Sequence, residues 1–408
     1  MTIEQIRPNF PQLQEKVYGK ALVYLDNAAT SLRLDASVAK WEEVSLHANA
    51  NLHRAVHRMA NLATEEFEST RKAVADYLGA DFLEIVFTSG TTASLNMLAF
   101  CLGEAGILKE GDEIIIVESE HHSDIVPWQM LAQRKSLKIK VLPISDSGEI
   151  SLDKLKNLLS ARTCLCCVAQ VSNVLGIVNP VKEIAAICHA AGCLVSVDGA
   201  QAVAHMPVDV KDLDCDFYSF SAHKMYAAPG VGVLYGRKSL LDLLPPWQGG
   251  GEMIESVKWG ETSYAKAPHR FEAGTQNISG VPALKPALEF LKAILSDKET
   301  IENQESIKAY LLAELPKIQG LKLYGLPEDP SKKIPLFSFS IKGAHHEDLA
   351  LILDKMGIAL RSGQMCAEPL MDRLGVSGML RASFSPYNSM QEAQYFTESL
   401  KKAVNMLK

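Results

Sequence analysis

From about residue 84 to residue 235, short apolar runs alternate with helical patterns, and no other feature limits the possible folds so tightly. EIVFT, EIIIVES, KIKVLPI, CLCCVAQV, LVSVD, DFYSFSA and GVGVLYG have strand length and composition. ASLNMLAFCL, SDIVPWQMLAQR, SLDKLKNLLS and VKEIAAICHAAG, between them, have helical periodicity. Such alternation predicts an α/β fold with a mostly parallel, seven-stranded sheet wrapped by helices. The runs are nearly continuous in apolar character, which predicts strands buried on both faces.

At 408 residues the chain suits two domains. The reading is a large domain over 22–290 and a smaller α+β domain built from 1–21 and 291–408. The stretch from about 245 to 282 is rich in Gly, Pro and aromatics and reads as ordered loops near a site or interface. A long helical pattern follows over about 283–314, then PLFSFSI, HEDLALILDKMG, IALRSG and MQEAQYFTESLKKAVNMLK.

The formal charge of −7 argues against nucleic acid as the main partner, since phosphate binding needs clustered Lys and Arg. No apolar run has bilayer-spanning length, and MTIEQIRPNFPQL lacks the basic-then-apolar pattern of a secretory signal. Eight scattered cysteines are too few for a disulfide framework, so a reducing cytosol is the expected location. Cys164, Cys166 and Cys167 lie in a buried strand pattern, and Cys188 and Cys193 flank a helix end; all five read as small core residues. His53 and His57, four apart, could chelate a metal on a helix, but no third ligand is evident and no metal is expected.

Lys224, in SFSAHKM, directly follows a predicted buried strand, so it belongs at a sheet edge. Asp198 ends another strand, where open α/β sheets bind ligands. A lysine amine and such a carboxylate are what pyridoxal phosphate requires: one holds its aldehyde carbon, the other its protonated ring nitrogen. FTSGTTASLN supplies a strand, the Gly90-Thr91-Thr92 turn and a helix start, a suitable cradle for a phosphate, with Ser221 and His223 beside the lysine. His121 follows a strand end, where an imidazole can stack on a ring and shuttle protons.

These residues occur in a set of ordered motifs: YLDNAAT (24–30), His53-Arg54, GTT (90–92), EHHSDIVPWQML (120–131), VSNVLG (171–176), VDGAQA (197–202), DFYSFSAHK (216–224), RFEAGTQN (270–277), RSGQMCAEP (361–369) and LRASFSPYN (380–388). Together they resemble the group II cysteine desulfurases (SufS/CsdA-like), within the aminotransferase class V group of fold-type I pyridoxal-phosphate enzymes. The resemblance runs nearly end to end, and IALRSGQMCAEPL is most similar to the CsdA-like side.

The resemblance implies that Lys224 binds the cofactor covalently, Asp198 pairs with its ring nitrogen and Gln201 bonds its hydroxyl. It implies that His121 stacks on the ring, that Thr91, Thr92, Ser221 and His223 hold the phosphate, and that Thr275 reaches the phosphate of a neighbouring subunit in a homodimer. Arg381 would bind the substrate carboxylate, with Asn173 helping at the cofactor and the substrate, and His53-Arg54 would lie near the entrance. Cys366 would become a persulfide, with Arg361 placed to favour its thiolate. The implied substrate is L-cysteine and the implied partner a SufE-like sulfur acceptor or an iron–sulfur cluster scaffold.

Selenocysteine lyase and cysteine sulfinate desulfinase are alternative activities on the same fold, and a non-catalytic scaffold is a further alternative. The chain also departs from the family pattern. It has Ser89 and Ala93 around GTT, Ala222 where a glycine is common, Tyr226-Ala227-Ala228-Pro229-Gly230 where Tyr-Gly-Pro-Thr-Gly is common, and Gln364-Met365 where two histidines are common in SufS-like members. Each alanine adds a Cβ where glycine permits positive φ or close backbone approach, so an altered local backbone or pocket is expected.

Overall fold

The structure is a computed structural model that describes residues 1–407. All seven expected strands form: β1 (Ile85–Thr88), β2 (Glu113–Val117), β3 (Lys138–Leu142), β4 (Thr163–Ala169), β5 (Leu194–Asp198), β6 (Phe217–Ser221) and β7 (Gly232–Gly236). They make one sheet in the order β1-β7-β6-β5-β4-β2-β3. The pairs from β6 across to β3 are parallel, and β7 runs antiparallel to β1 and β6. The carboxyl ends of β1, β2, β4, β5 and β6 therefore share one edge.

Side chains along β2 show why the apolar runs are continuous. Ile115 and Val117 enter one core and Ile114 and Ile116 the other, on opposite faces of the sheet. Cys166 and Cys167 on β4 divide the same way and are wholly buried. Edge strand β3 is the exception, exposing Lys138 and Val141, as an edge needs to do.

The 283–314 pattern is two helices, Leu284–Leu295 and Lys298–Glu314. Asp297 starts the second by accepting from Thr300 N at 2.9 Å, an N-cap that breaks an otherwise continuous periodicity. Within 245–282, read as loops, an exposed hairpin forms from Ile254–Lys258 and Glu261–Tyr264, with Trp259 at its turn fully in solvent. Its polar, exposed strands lack the apolar alternation that would have revealed it.

A second, four-stranded antiparallel sheet contains β8 (Leu321–Tyr324), β9 (Leu336–Ile341), β10 (Arg361–Gly363) and β11 (Met379–Ser383) in the order β8-β9-β11-β10. It has its own core with helices His346–Lys355 and Met390–Met406. Val23 and Leu25 also enter that core. Residues 1–21 bridge the two units. Ile6, Phe10 and Leu13 pack into the large core, whereas Arg7 bonds Glu392 at 2.7 Å.

Arg71 ties helix Arg58–Leu78 to β1 and to the RFEAG loop. Its wholly buried guanidinium grips both oxygens of Glu272 at 2.7 and 2.8 Å, and Glu272 also accepts from Phe87 N at 2.7 Å. Glu272→Ala leaves a buried charge that has lost two of its five hydrogen bonds. It should cost about 3–5 kcal/mol, read as a lower midpoint in urea unfolding.

His53 and His57 do not share a helix face. His57 is the N-cap of Arg58–Leu78, and His53 lies before it at φ +64°. Its ring instead meets Glu68 at 2.9 Å, in a cluster with His269 that the sequence reading did not find. Glu68 is already ion-paired to Arg71 at 2.8 Å, so the cluster reads as part of that buried charge network.

Candidate active site

The shared strand edge and the second sheet enclose a cavity of about 200 Å³. Thr91, Thr92, His121, Asn173, Asp198, Gln201, Ser221, His223, Lys224, Arg361, Cys366 and Arg381 all line it. The structure thus brings together every candidate site residue except His53, Arg54 and Thr275. His53 and Arg54 lie in a separate depression with Glu252 and His269, and Thr275 is exposed.

Each side chain is placed by the element that carries it. Asp198 ends β5 and is 7% exposed, with Oδ1 accepting from Ala200 N at 2.8 Å. Burial pushes its carboxyl above the usual range, against the opposing pull of Lys224. Lys224 sits in the short connection after β6. Loss of solvent lowers its amine below the usual lysine range, with Asp198 opposing. The Lys224 amine has neither a hydrogen bond nor an ion pair among the described residues.

The turn after β1 lies against the sheet because Gly232 of β7 has no side chain; a Cβ there would come within 2.3 Å of Gly90 Cα. Helix Thr91–Glu104 begins from it with no side-chain cap. Ser221 accepts from Thr91 N at 2.8 Å, and Thr92 Oγ1 meets Ser123 Oγ at 2.7 Å. A first turn whose N-cap residue, Gly90, offers no side chain, with only Thr91 N taken by Ser221 and hydroxyls around it, suits an anion. His223 and His121 are held neutral by burial, at about 4 and about 3. His121 Nδ1 accepts from Ser123 N at 3.0 Å, which leaves the proton of the neutral ring on Nε2.

Arg381 on β11 is 3% exposed. It donates to Asn173 O at 2.9 Å and to Asp26 at 3.3 Å, while its buried Nε has no partner among the described residues. A buried guanidinium with an unpaired donor, lining a cavity, is suited to a carboxylate. Arg361 faces Asp26 at 3.8 Å. The roles of Asp26 and Ser123 were missed in the sequence. Asp26 stands in the quoted YLDNAAT motif, and nothing local marks it as the common partner of two arginines.

Cys366 is exposed at the cavity rim. It and Met365 have φ of +54° and +56°, a costly conformation for side-chain-bearing residues. Asn173 Nδ2 holds the Met365 carbonyl at 2.8 Å, and His122 N holds the Cys366 carbonyl at 2.8 Å.

Residues 23–396 match the aminotransferase class-V family. The chain belongs to that family. A cysteine desulfurase of Dickeya dadantii is 43% identical, over 99% of this chain and 97% of its own length. The S-sulfonic acid form of the cysteine desulfurase CsdA from Escherichia coli superposes with a TM-score of 0.90 at 38% identity, covering 100% of both chains. The apo cysteine desulfurase of Thermococcus onnurineus NA1 gives a TM-score of 0.93 at 38% identity, over 100% of this chain and 99% of that one.

The cysteine desulfurases of the class-V family depend on pyridoxal phosphate, and the residues present fit that group. The unpaired Lys224 amine, the buried Asp198 carboxyl and the uncapped helix start supply the three required functions at one cavity. Ala222, Ala227 and Ala228 all avoid positive φ, which falls on Tyr226 (+67°) and Gly230 (+74°). Tyr226 is fixed there by Ser31 Oγ at 2.8 Å and Ser385 Oγ at 2.9 Å.

Proposed function

We propose that this protein is a pyridoxal-phosphate-dependent cysteine desulfurase that moves the sulfur of L-cysteine onto Cys366 and releases alanine. One observation supports this most: Cys366, Lys224 and Arg381 line a single cavity. Thr91, Thr92, Ser221 and His223 would hold the cofactor phosphate, with Asp198, Gln201 and His121 at its ring and Asn173 at its edge. When bound, pyridoxal phosphate supplies an electron sink for charge developed at the substrate α-carbon.

Arg381 binds the substrate carboxylate and so orients the thiol toward the rim. Lys224, its amine lowered by burial, moves the proton at the α-carbon. His121, neutral across the working pH range with its proton on Nε2, would lie beside the bound cofactor and adds no positive charge beside Lys224. The Cys366 thiolate attacks the substrate sulfur. An S–S bond forms as the C–S bond breaks, and its electron pair and a proton end on the β-carbon. Sulfur is oxidised and carbon reduced, so no outside oxidant enters.

Thr275, exposed on its own subunit, serves the cavity of a second copy in a homodimer. A SufE-like protein or an iron–sulfur cluster scaffold takes the persulfide sulfur from the exposed rim, in the cytoplasm. No described helix is long and apolar enough to cross a membrane. His53 and Arg54 act on substrate only if that second copy brings them to a cavity.

The test is to supply L-cysteine and a thiol reductant and to quantify alanine and sulfide together; equal amounts are expected. Arg381→Ala should raise KM for cysteine roughly 10- to 100-fold, because the carboxylate loses a charge-assisted bidentate partner. Steady-state kinetics read this directly.

Acid should weaken the cofactor-free protein. His121 and His223 have folded values of about 3 and about 4, below the ordinary 6.5. Below 6.5 the unfolded chain takes up protons that the folded chain refuses, so stability falls as pH drops from 6.5 toward 4. Thermal midpoints across that window measure it, and His223→Asn should flatten the fall.

A further inference from the structure

We propose that His122 is a positioning residue that sets Cys366 for attack by tying its loop to the segment carrying His121. The proposal rests on the desulfurase reading above.

His122 bonds the nucleophile's loop at two points. Its backbone N–H donates to the Cys366 carbonyl at 2.8 Å. Its ring Nε2 accepts from Glu368 N at 3.0 Å, two residues beyond the cysteine. The second bond supplies something the loop lacks. Helix Glu368–Leu374 follows Ala367, which has no side chain able to cap it, so the first helical N–H finds its acceptor in another segment. The ring must accept at Nε2, so its proton sits on Nδ1; a doubly protonated ring could not make this bond.

The loop needs such support. Two consecutive non-glycine residues at positive φ persist only where surroundings over-determine them. Asn173 holds the Met365 side of the loop. His122 holds the carbonyl of Cys366 itself and the helix start after it. His121, one residue earlier on the same segment, lines the cavity beside Lys224. Nucleophile and cofactor face are thus set from adjacent residues of one turn, in which His121 Nδ1 accepts from Ser123 N and the His121 carbonyl accepts from Asp124 N. A displacement of the sulfur by about 1 Å is enough to cost on the order of 100-fold in rate.

The substitution His122→Ala removes the ring bond and leaves the backbone bond. His122→Gln keeps an acceptor of similar reach. Two readouts separate positioning from general damage. With the holoenzyme, His122→Ala should lower kcat for cysteine about 10- to 100-fold. It should spare selenocysteine turnover, which does not need the cysteine nucleophile, and His122→Gln should recover most of the loss. In cofactor-free protein, hydrogen exchange at Glu368 N should speed up about tenfold or more in His122→Ala and return toward wild type in His122→Gln. Equal loss on both substrates, or unchanged exchange, overturns the proposal. A wild type with no cysteine turnover would instead sink the desulfurase reading, while exchange would still decide whether the ring holds the loop. Should His122→Ala fail to fold, a His122→Gln protein with wild-type kinetics and His122→Asn with slowed cysteine turnover decide in its place.

Discussion

Cys366→Ser should abolish turnover of L-cysteine, by roughly 10³-fold or more, and leave selenocysteine turnover largely intact. The reason is chemical. Releasing sulfur from cysteine needs a thiolate to take the sulfur atom, and a serine hydroxyl is neither ionised nor soft enough. The C–Se bond is weaker and selenium leaves without that help. Cys366 is exposed at the rim, so replacing Sγ by Oγ removes no core packing and fold is not at stake. Equal loss on both substrates would show that Cys366 acts through structure or the cofactor, and would remove the persulfide step from the mechanism.

Lys224→Ala has the second large effect. Among the described residues the lysine is the one amine lining the cavity, and its burial keeps it available as a base. Without it, borohydride should no longer fix pyridoxal phosphate to the chain, and cysteine turnover should fall by roughly 10³-fold or more. Unfolding should change little, because Lys224 makes no hydrogen bond or ion pair among the described residues. Fixation persisting at another lysine would reassign the covalent site.

Much of this was visible in the sequence because burial writes a continuous signal. The seven strands stood out since both faces of β2, β4 and β6 are buried. Asp198 stood out because it terminates such a strand and Lys224 because it closely follows one, so their place at the shared edge followed from the alternation alone. The exposed hairpin left no such trace, and the break at Asp297 was hidden inside a periodicity that both flanking helices continue.

The site was less legible where it depends on distant partners. Asp26 lies more than 300 residues from the two arginines it faces. His122 was one half of a His-His pair whose first member drew the argument; its bond to Glu368 spans 246 residues. The two left-handed residues at Met365 and Cys366 could not be expected from residue type, since neither is a glycine or asparagine. The alanines at 222, 227 and 228 suggested an altered local backbone or pocket; none of the three takes a positive φ, which falls on Tyr226 and Gly230. His53 and His57 looked like a helical pair by spacing, but the helix starts only at Arg58, after both of them.

The most direct test of the central claim is a single turnover without reductant. Cofactor-loaded protein is mixed with excess L-cysteine and quenched; alanine is quantified, and the peptide containing Cys366 is weighed by mass spectrometry. The mechanism predicts one alanine per chain, a gain of one sulfur atom on that peptide, and neither product in Cys366→Ser. Alanine formed with no added sulfur on Cys366, or formed equally by the serine variant, would contradict it.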